Sequence, residues 1–85
     1  MRTEDTAVNA IERFAIGIEH DSGRYYLSIP VSNRLVDYEE YYELKEVEYR
    51  NFIADAVLAA RFATDCRAHK EDARLMVEPG ADRGV

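Results

Sequence analysis

The sequence predicts an α+β fold in which a three-stranded antiparallel sheet packs against one long or broken helix. Two observations lead to this prediction. Apolar and polar residues alternate between residues 12 and 31, and from residue 46 the apolar residues recur at every third or fourth position. With 85 residues, 47% of them hydrophobic and 33% charged, the chain has the composition of a folded protein. We therefore expect a single α+β domain over residues 11–77, with flexible segments at residues 1–10 and 78–85.

The first predicted element is a β-hairpin over residues 12–31. In the segment RFAIGIE, the side chains of Phe14, Ile16 and Ile18 share one face of a strand, and RYYLSIPV repeats the alternation after the turn residues HDSG. Pro30 has no N–H group to donate to a ladder. We therefore expect the second strand to end at Pro30 or to lie against an open edge there.

The next stretch, residues 35–44, is compatible with two structures. Asp37 followed by Glu40 fits a capping box, and Tyr38 and Tyr42 continue a helical spacing backwards from Tyr49. However, such a helix would contain about 32 residues, roughly three times the mean length. A lone hairpin is also marginal in water, so the sequence favours a third strand at about residues 35–44.

An amphipathic helix is predicted over about residues 46–69. Asp55 is the position where we expect this helix to break or to be capped again. The segment ARLMV at residues 73–77 has the composition of a possible short C-terminal strand. The apolar stripe that predicts the helix consists of Tyr49, Phe52, Ile53, Ala56, Val57, Ala60, Ala63 and Cys66.

Most of the net charge of −6 lies in one short segment. Residues 37–48 contain six acidic side chains and a single basic one, Lys45. A negative surface repels nucleic acid and anionic lipid, and it increases the rate of encounter with basic proteins. We therefore predict a basic protein as partner, and neither nucleic acid nor a membrane.

If residues 37–44 form a strand, the acidic segment divides between two faces. One face carries Tyr38, Glu40, Tyr42 and Leu44, and the other carries the remaining four residues. Carboxylates bind arginine strongly, and tyrosine offers contact area at low entropic cost. The alternative is a charged strand that resists aggregation. The predicted partner-binding residues are Asp37, Glu39, Glu40, Tyr41 and Glu43, with Glu46 and Glu48 steering the partner from the start of the helix.

The sequence contains no convincing motif for catalysis or for metal binding. Cys66 and His69 are three residues apart on the predicted helix, but a cysteine in an alanine stripe is typical of a small core residue. His20, Cys66 and His69 lack the paired spacing of a zinc site. We therefore expect no enzymatic activity, cofactor or metal. The single cysteine and the lack of a signal peptide or a long apolar run predict a cytoplasmic protein.

In size, acidic charge and lack of catalytic residues, the chain resembles the small acidic inhibitors and immunity proteins that block bacterial nuclease toxins. This resemblance implies a non-enzymatic inhibitor whose carboxylates occupy the basic cleft with which a nuclease binds phosphates. The alternative function is a structural or assembly subunit. Such a subunit would form a homodimer through the hairpin edge or through a surface of Tyr25, Tyr26 and Tyr42.

Overall fold

The computed structural model describes residues 1–33 and 35–79, and it confirms the α+β class. Within these residues the strands pair antiparallel in sequence order, β1-β2-β3-β4, and both α-helices pack on one face of the sheet. A short 3-10 turn, Asp72–Arg74, follows the second helix. The strands are β1 (Thr3–Asn9), β2 (Phe14–Glu19), β3 (Arg24–Ser32) and β4 (Asp37–Leu44), and the helices are α1 (Glu46–Ala54) and α2 (Ala56–Arg67).

The prediction of three strands was wrong, because β1 lies in the segment that we expected to be flexible. Its sequence, TEDTAVN, contains the β-branched residues Thr3, Thr6 and Val8 but has no alternating apolar face, and most of its side chains are exposed. The strand instead pairs through its backbone with β2, and its register shifts between Asp5 and Ala7. Local sequence preference gives little sign of such a strand.

The predicted hairpin is present as β2 and β3, and buried Glu19 organises its turn. The Glu19 carboxylate accepts hydrogen bonds from the backbone N–H groups of Arg2, Asp21 and Ser22, at 2.9–3.0 Å, and from the Ser22 hydroxyl at 2.6 Å. These bonds lower the pKa of Glu19 to about 2, the bond from the Ser22 side chain having the largest effect. One ionised side chain therefore joins the turn to the start of β1.

Pro30 lies inside β3, which continues to Ser32. The pairing between β2 and β3 reaches only Ser28, whereas β4 pairs with β3 along its whole length. The prediction of an open edge at Pro30 is thus correct on the β2 side. Pro30, which lacks an N–H group, therefore lies beyond the part of β3 that pairs with β2.

Asp55 ends α1 and begins α2, as predicted. Its carboxylate accepts hydrogen bonds of 3.1 Å from the backbone N–H groups of Val57 and Leu58, which caps the second helix. Because of this break, α2 is rotated about its axis relative to one continuous helix. Only some residues of the predicted apolar stripe are therefore buried. Ala56 and Val57 are exposed, and the buried face of α2 consists of Ala59, Phe62, Ala63 and Cys66.

One apolar core fills the space between the helices and the sheet. The rings of Phe52 and Phe62 meet at a centroid distance of 5.1 Å, and Tyr25 stacks on Tyr49 at 4.3 Å. Over the residues that the structure describes, neither helix combines the length and the apolar content needed to cross a membrane. The core residues include Phe14, Ile16, Leu27, Ile29, Val31, Tyr42, Leu44, Phe52, Ala59, Phe62, Ala63 and Cys66.

Residues 73–77 do not form the short strand that we expected. The chain makes the 3-10 turn, and then Leu75 bridges to Tyr42 while the Met76 N–H donates to the Tyr41 carbonyl at 2.9 Å. Arg74 holds this segment in place through bonds of 2.8 and 2.9 Å to the Glu48 carboxylate. The C-terminal segment therefore covers part of the outer edge of β4. The predicted tail lies outside the described residues from residue 80 onward.

We expect Ala63→Asp to destabilise the protein by about 3 kcal/mol or more, because it places an unpaired charge in the core. Ala56→Asp is the matched control, since Ala56 is exposed in the first turn of α2, where an acid is favourable. Urea denaturation of both variants tests this assignment of the helix faces. Equal losses of stability in the two variants would contradict it.

Glu19→Gln is expected to lower the free energy of unfolding at neutral pH. The carboxylate has a pKa of about 2 in the folded state and 4.5 when unperturbed, so its stabilisation is complete above pH 4.5. It is lost as the pH falls through about 2. The difference between the wild type and the variant should therefore shrink over this range in urea titrations. Exposed Glu12→Gln is the control, and a difference that does not change with pH would contradict the assignment.

Candidate functional site

The strand β4 separates the predicted acidic residues between its two faces. Asp37, Glu39 and Glu43 are exposed and Tyr41 is half-buried, and they project from the face of the sheet that the helices leave uncovered. We call this the open face. The four intervening residues, Tyr38, Glu40, Tyr42 and Leu44, project toward the helices.

The register between β3 and β4 fixes which β3 residue lies beside each open-face residue. Glu43 pairs with Tyr26, Tyr41 with Ser28, Glu39 with Pro30 and Asp37 with Ser32. The rings of Tyr26 and Tyr41 meet edge to face at a centroid distance of 5.0 Å. Each of the three acids has a further partner, and the Tyr41 hydroxyl donates to Glu39 at 3.4 Å. The Ser32 hydroxyl donates to Asp37 at 2.5 Å, and Arg24 forms an exposed ion pair with Glu43 at 3.1 Å.

The additional strand β1 contributes an acid that the sequence analysis missed. The Tyr26 hydroxyl donates a 2.6 Å hydrogen bond to Oδ1 of Asp5, and this bond links β3 to β1 across β2. Gly17 lies between them, and a Cβ atom on this residue would lie 2.5 Å from the Tyr26 hydroxyl oxygen. Tyr26 is consequently 0% exposed although no helix covers it. No local signal in TEDTAVN identified Asp5 as a site residue.

Both tyrosines of the open face remain protonated at neutral pH. Burial raises the pKa of Tyr26, and the hydrogen bond to Asp5 raises it further. Burial also raises the pKa of Tyr41, against a hydrogen bond with Thr3 that lowers it, while the charge of Glu39 adds to the increase. The face therefore combines acidic side chains with neutral phenols. These phenols are poorly suited to proton transfer near pH 7.

Two cavities flank Glu39 on this part of the surface. One, with a volume of about 240 Å³, has Asp5 and Glu39 on its walls together with Val8, Ala15 and Pro30, and Arg13 also borders it. The other has a volume of about 180 Å³ and lies between β4 and the segment Val77–Pro79.

The hydroxyl of Ser28, which pairs with Tyr41 across β3 and β4, is buried and has no hydrogen-bond partner among the described residues.

Glu40 differs from the other predicted acids, because its side chain lies under the helices and is 5% exposed. The Tyr42 hydroxyl donates to Glu40 at 2.7 Å and lies 3.2 Å from the carbonyl oxygen of Cys66 in α2. This contact connects the middle of β4 to the end of the second helix. Glu40 is therefore separated from the open face to which we had assigned it.

The predicted steering residues lie at the start of α1, and they already have partners. Exposed Glu46 pairs with Arg50 at 2.6 Å. Glu48 accepts hydrogen bonds from the Lys45 backbone N–H and from Arg74, and the bond with Arg74 is the main cause of its lowered pKa. The structure thus brings together four predicted residues, Asp37, Glu39, Tyr41 and Glu43, and adds Asp5.

The Cys66 and His69 pair does not form a nucleophile. Cys66 is fully buried, and burial raises the pKa of its thiol to about 12, so the thiolate is absent at neutral pH. His69 follows the end of α2 in a left-handed conformation with φ of 61° and is exposed. Among residues 1–33 and 35–79, no group of three potential metal ligands is close enough to hold an ion.

Tyr25, Tyr26 and Tyr42 do not form the exposed surface through which we expected a homodimer to assemble. Tyr26 and Tyr42 are buried, and Tyr25 stacks on Tyr49 of α1. The β2–β3 hairpin is also internal, because β1 and β4 flank it. A homodimer would have to use another part of the molecule.

Comparison of the chain with protein-family models, with curated proteins and with solved structures found no match in any of the three.

We expect Glu40→Lys to lower the free energy of unfolding by about 3 kcal/mol or more, because it buries an unmatched cation beside Tyr42. The adjacent substitution Glu39→Lys changes the charge by the same amount on the open face, and it should cost less than about 0.5 kcal/mol. Chemical denaturation of the two variants measures this difference. Similar stabilities would show that the faces of β4 are assigned incorrectly.

Proposed function

We propose that this chain is a non-enzymatic protein-binding module whose open face receives a basic protein. The observation that supports this function best is the presence of four carboxylates, from Asp5, Asp37, Glu39 and Glu43, on one sheet face without a helical cover. Tyr41 lies among them. In a chain of net charge −6, this arrangement favours a cationic partner.

The cavity between Asp5 and Glu39 has the chemistry to hold an arginine or lysine side chain. Val8 and Pro30 supply apolar contacts for its aliphatic part, and the two carboxylates can accept hydrogen bonds from its charged end. The hydrogen bond from Tyr26 holds Asp5 in place before binding, which reduces the entropic cost. Arg13 borders the same cavity and offsets part of its negative potential.

Tyr41 is suited to act as the aromatic anchor of this surface. Its ring is half-buried against Tyr26, so little side-chain freedom remains to be lost on binding. Tyrosine is enriched in the energetically dominant positions of interfaces, whereas exposed charges chiefly affect the association rate and specificity. Tyr41 would thus supply contact energy, and the surrounding acids would orient the partner.

An inhibitor of the immunity-protein type, which neutralises a nuclease toxin, is the specific form of this function that we favour. A nuclease presents a basic cleft to the phosphates of its substrate, and an acidic face can compete for that cleft. The small size of the chain, its negative charge and its fixed open-face carboxylates are consistent with this role.

The double variant Glu39→Lys/Glu43→Lys should lose a basic partner that the wild type captures from lysate of the source organism. We expect binding to fall at least about tenfold, because both substitutions reverse charges that face the partner. Captured proteins would be identified by mass spectrometry at low and high salt. Binding of the wild type should weaken with salt, since exposed charges are screened.

The matched control is Glu12→Lys/Glu46→Lys, which has the same net charge as the open-face variant. Both of its positions are exposed and lie away from the open face. A partner that depends on the open face will bind this control and not the first variant. If the two variants lose a partner equally, only total charge matters. If the wild type captures no basic protein, the proposed function is wrong.

A further inference from the structure

A cavity of about 300 Å³ lies at the edge of β3, beyond the last residue that pairs with β2. Three basic residues line it. Arg13 belongs to the turn before β2, and Arg67 and His69 lie at the end of α2. Ser32 and buried Glu40 complete the polar part of its wall. We call this space the arginine cavity.

The two arginines of this cavity lack an acidic partner. Among residues 1–33 and 35–79, neither Arg13 nor Arg67 forms an ion pair with a carboxylate, although the chain has 17 acidic side chains and only 11 lysines and arginines. Two unpaired guanidinium groups that share one cavity in an acidic protein indicate a place for an external anion. The arginines that do pair with acids are Arg2, Arg24, Arg50 and Arg74.

Arg67 is held in position before any ligand binds. Its Nη2 atom donates to the carbonyl oxygens of Glu12 and Arg13 at 2.5 and 2.6 Å, which ties the end of α2 to the turn before β2. Both hydrogen bonds use the same nitrogen, so the N–H groups of Nη1 and Nε are left for a ligand. A donor that is already fixed binds an anion at a lower entropic cost.

Basic residues near the end of a helix often bind its last carbonyl groups, but α2 does not need them for this purpose. The carbonyl oxygens of Thr64, Asp65 and Cys66 accept hydrogen bonds from backbone N–H groups just after the helix, at 3.0–3.1 Å. The last turn is thus satisfied by the backbone. Capping of α2 consequently does not explain why Arg67 and His69 lie together at this cavity.

The backbone at Arg13 and His69 gives a second, independent indication. Among the described residues, they are the non-glycine residues with positive φ, at 59° and 61°. Glycine adopts this conformation without a steric penalty, and other residues that adopt it concentrate at binding and catalytic sites. Both strained residues line the same cavity. The chain therefore has basic side chains at two positions where glycine would be less strained.

We propose that the arginine cavity binds the phosphate monoester of a small hydroxylated molecule. Arginine and histidine N–H groups can bind the terminal phosphate oxygens, and the two guanidinium charges outweigh the single charge of Glu40. The volume lies at the lower end of the range for small-molecule sites, which leaves room for an organic part. Glu40 is an acceptor suited to a hydroxyl group of that part.

This site is separate from the proposed site for a basic protein, although Arg13 and Pro30 border both cavities. The basic partner would contact Asp5 and Glu39, whereas the phosphate would contact Arg67 and His69, which do not line the acidic cavity. Removal of Arg13 takes a positive charge away from both cavities. It should therefore weaken phosphate binding without weakening capture of a basic protein, so failure of one proposal can be distinguished from failure of the other.

Titration of the ¹⁵N-labelled full chain with ribose 5-phosphate, followed by NMR at constant ionic strength, tests the phosphate site. We expect saturable shifts of the backbone amides of Arg13, Ser32 and His69, with a dissociation constant on the order of 1 mM for a ligand of this size. Ribose, which lacks the phosphate group, is the control ligand and should cause no such shifts. If ribose 5-phosphate causes no saturable shifts at these amides, the proposal is wrong.

Arg13→Gly should weaken ribose 5-phosphate binding at least about tenfold, and His69→Gly at least about threefold, because each removes a donor to the phosphate. Neither variant should lower the urea midpoint, since glycine accepts the positive φ and position 13 keeps the carbonyl that Arg67 binds. Arg61→Ala is the matched control, because it removes one charge from an exposed position of α2 outside the cavity. A loss of binding in Arg61→Ala as large as that in Arg13→Gly, or unchanged binding in both glycine variants, would overturn the proposal.

Discussion

The hydrogen bond between the Tyr26 hydroxyl and Asp5 spans three strands, and the shape of the open face depends on it. It crosses β2 at Gly17, where a side chain would obstruct the phenol. Because β1 has few buried side chains of its own, this bond supplements the backbone ladder in holding the strand at the sheet edge. The same bond positions Asp5 across a cavity from Glu39 and buries Tyr26 under Tyr41. The same hydrogen bond thus helps to fix both the position of β1 and the geometry of the candidate site.

Two neighbouring glutamates in β4 illustrate how a strand divides one acidic segment between two purposes. Glu39 lies on the open face between two cavities, whereas Glu40 is buried and accepts a hydrogen bond from Tyr42. A buried carboxylate is unfavourable without such partners, and its contact with Tyr42 reaches the last turn of α2 through the Cys66 carbonyl. The acidic segment is therefore partly a surface and partly a connection between sheet and helix.

The two edges of the sheet differ, and this difference gives the molecule two kinds of surface. Leu75 and Met76 cover part of the β4 edge, and Arg74 fixes them through Glu48. The β1 edge has no such cover among the described residues, and a groove of about 410 Å³ whose lining includes Ile11, Phe14 and Phe52 lies beside it. The open face is acidic, whereas the residues that line this groove are apolar or uncharged.

Local patterns in the sequence were sufficient to predict the α+β class, the β2–β3 hairpin, the strand β4 and the helix break at Asp55. Each depends on side-chain alternation, helical spacing or a cap, which are properties of neighbouring residues. The strand β1, the rotation of α2 and the contribution of Asp5 were missed. β1 is held by pairing with β2 and by a tyrosine 21 residues away, and α2 is oriented by packing after the break. Alternation did separate Glu40 from its neighbours, but its burial depends on where the helices pack, and no local pattern contains that information.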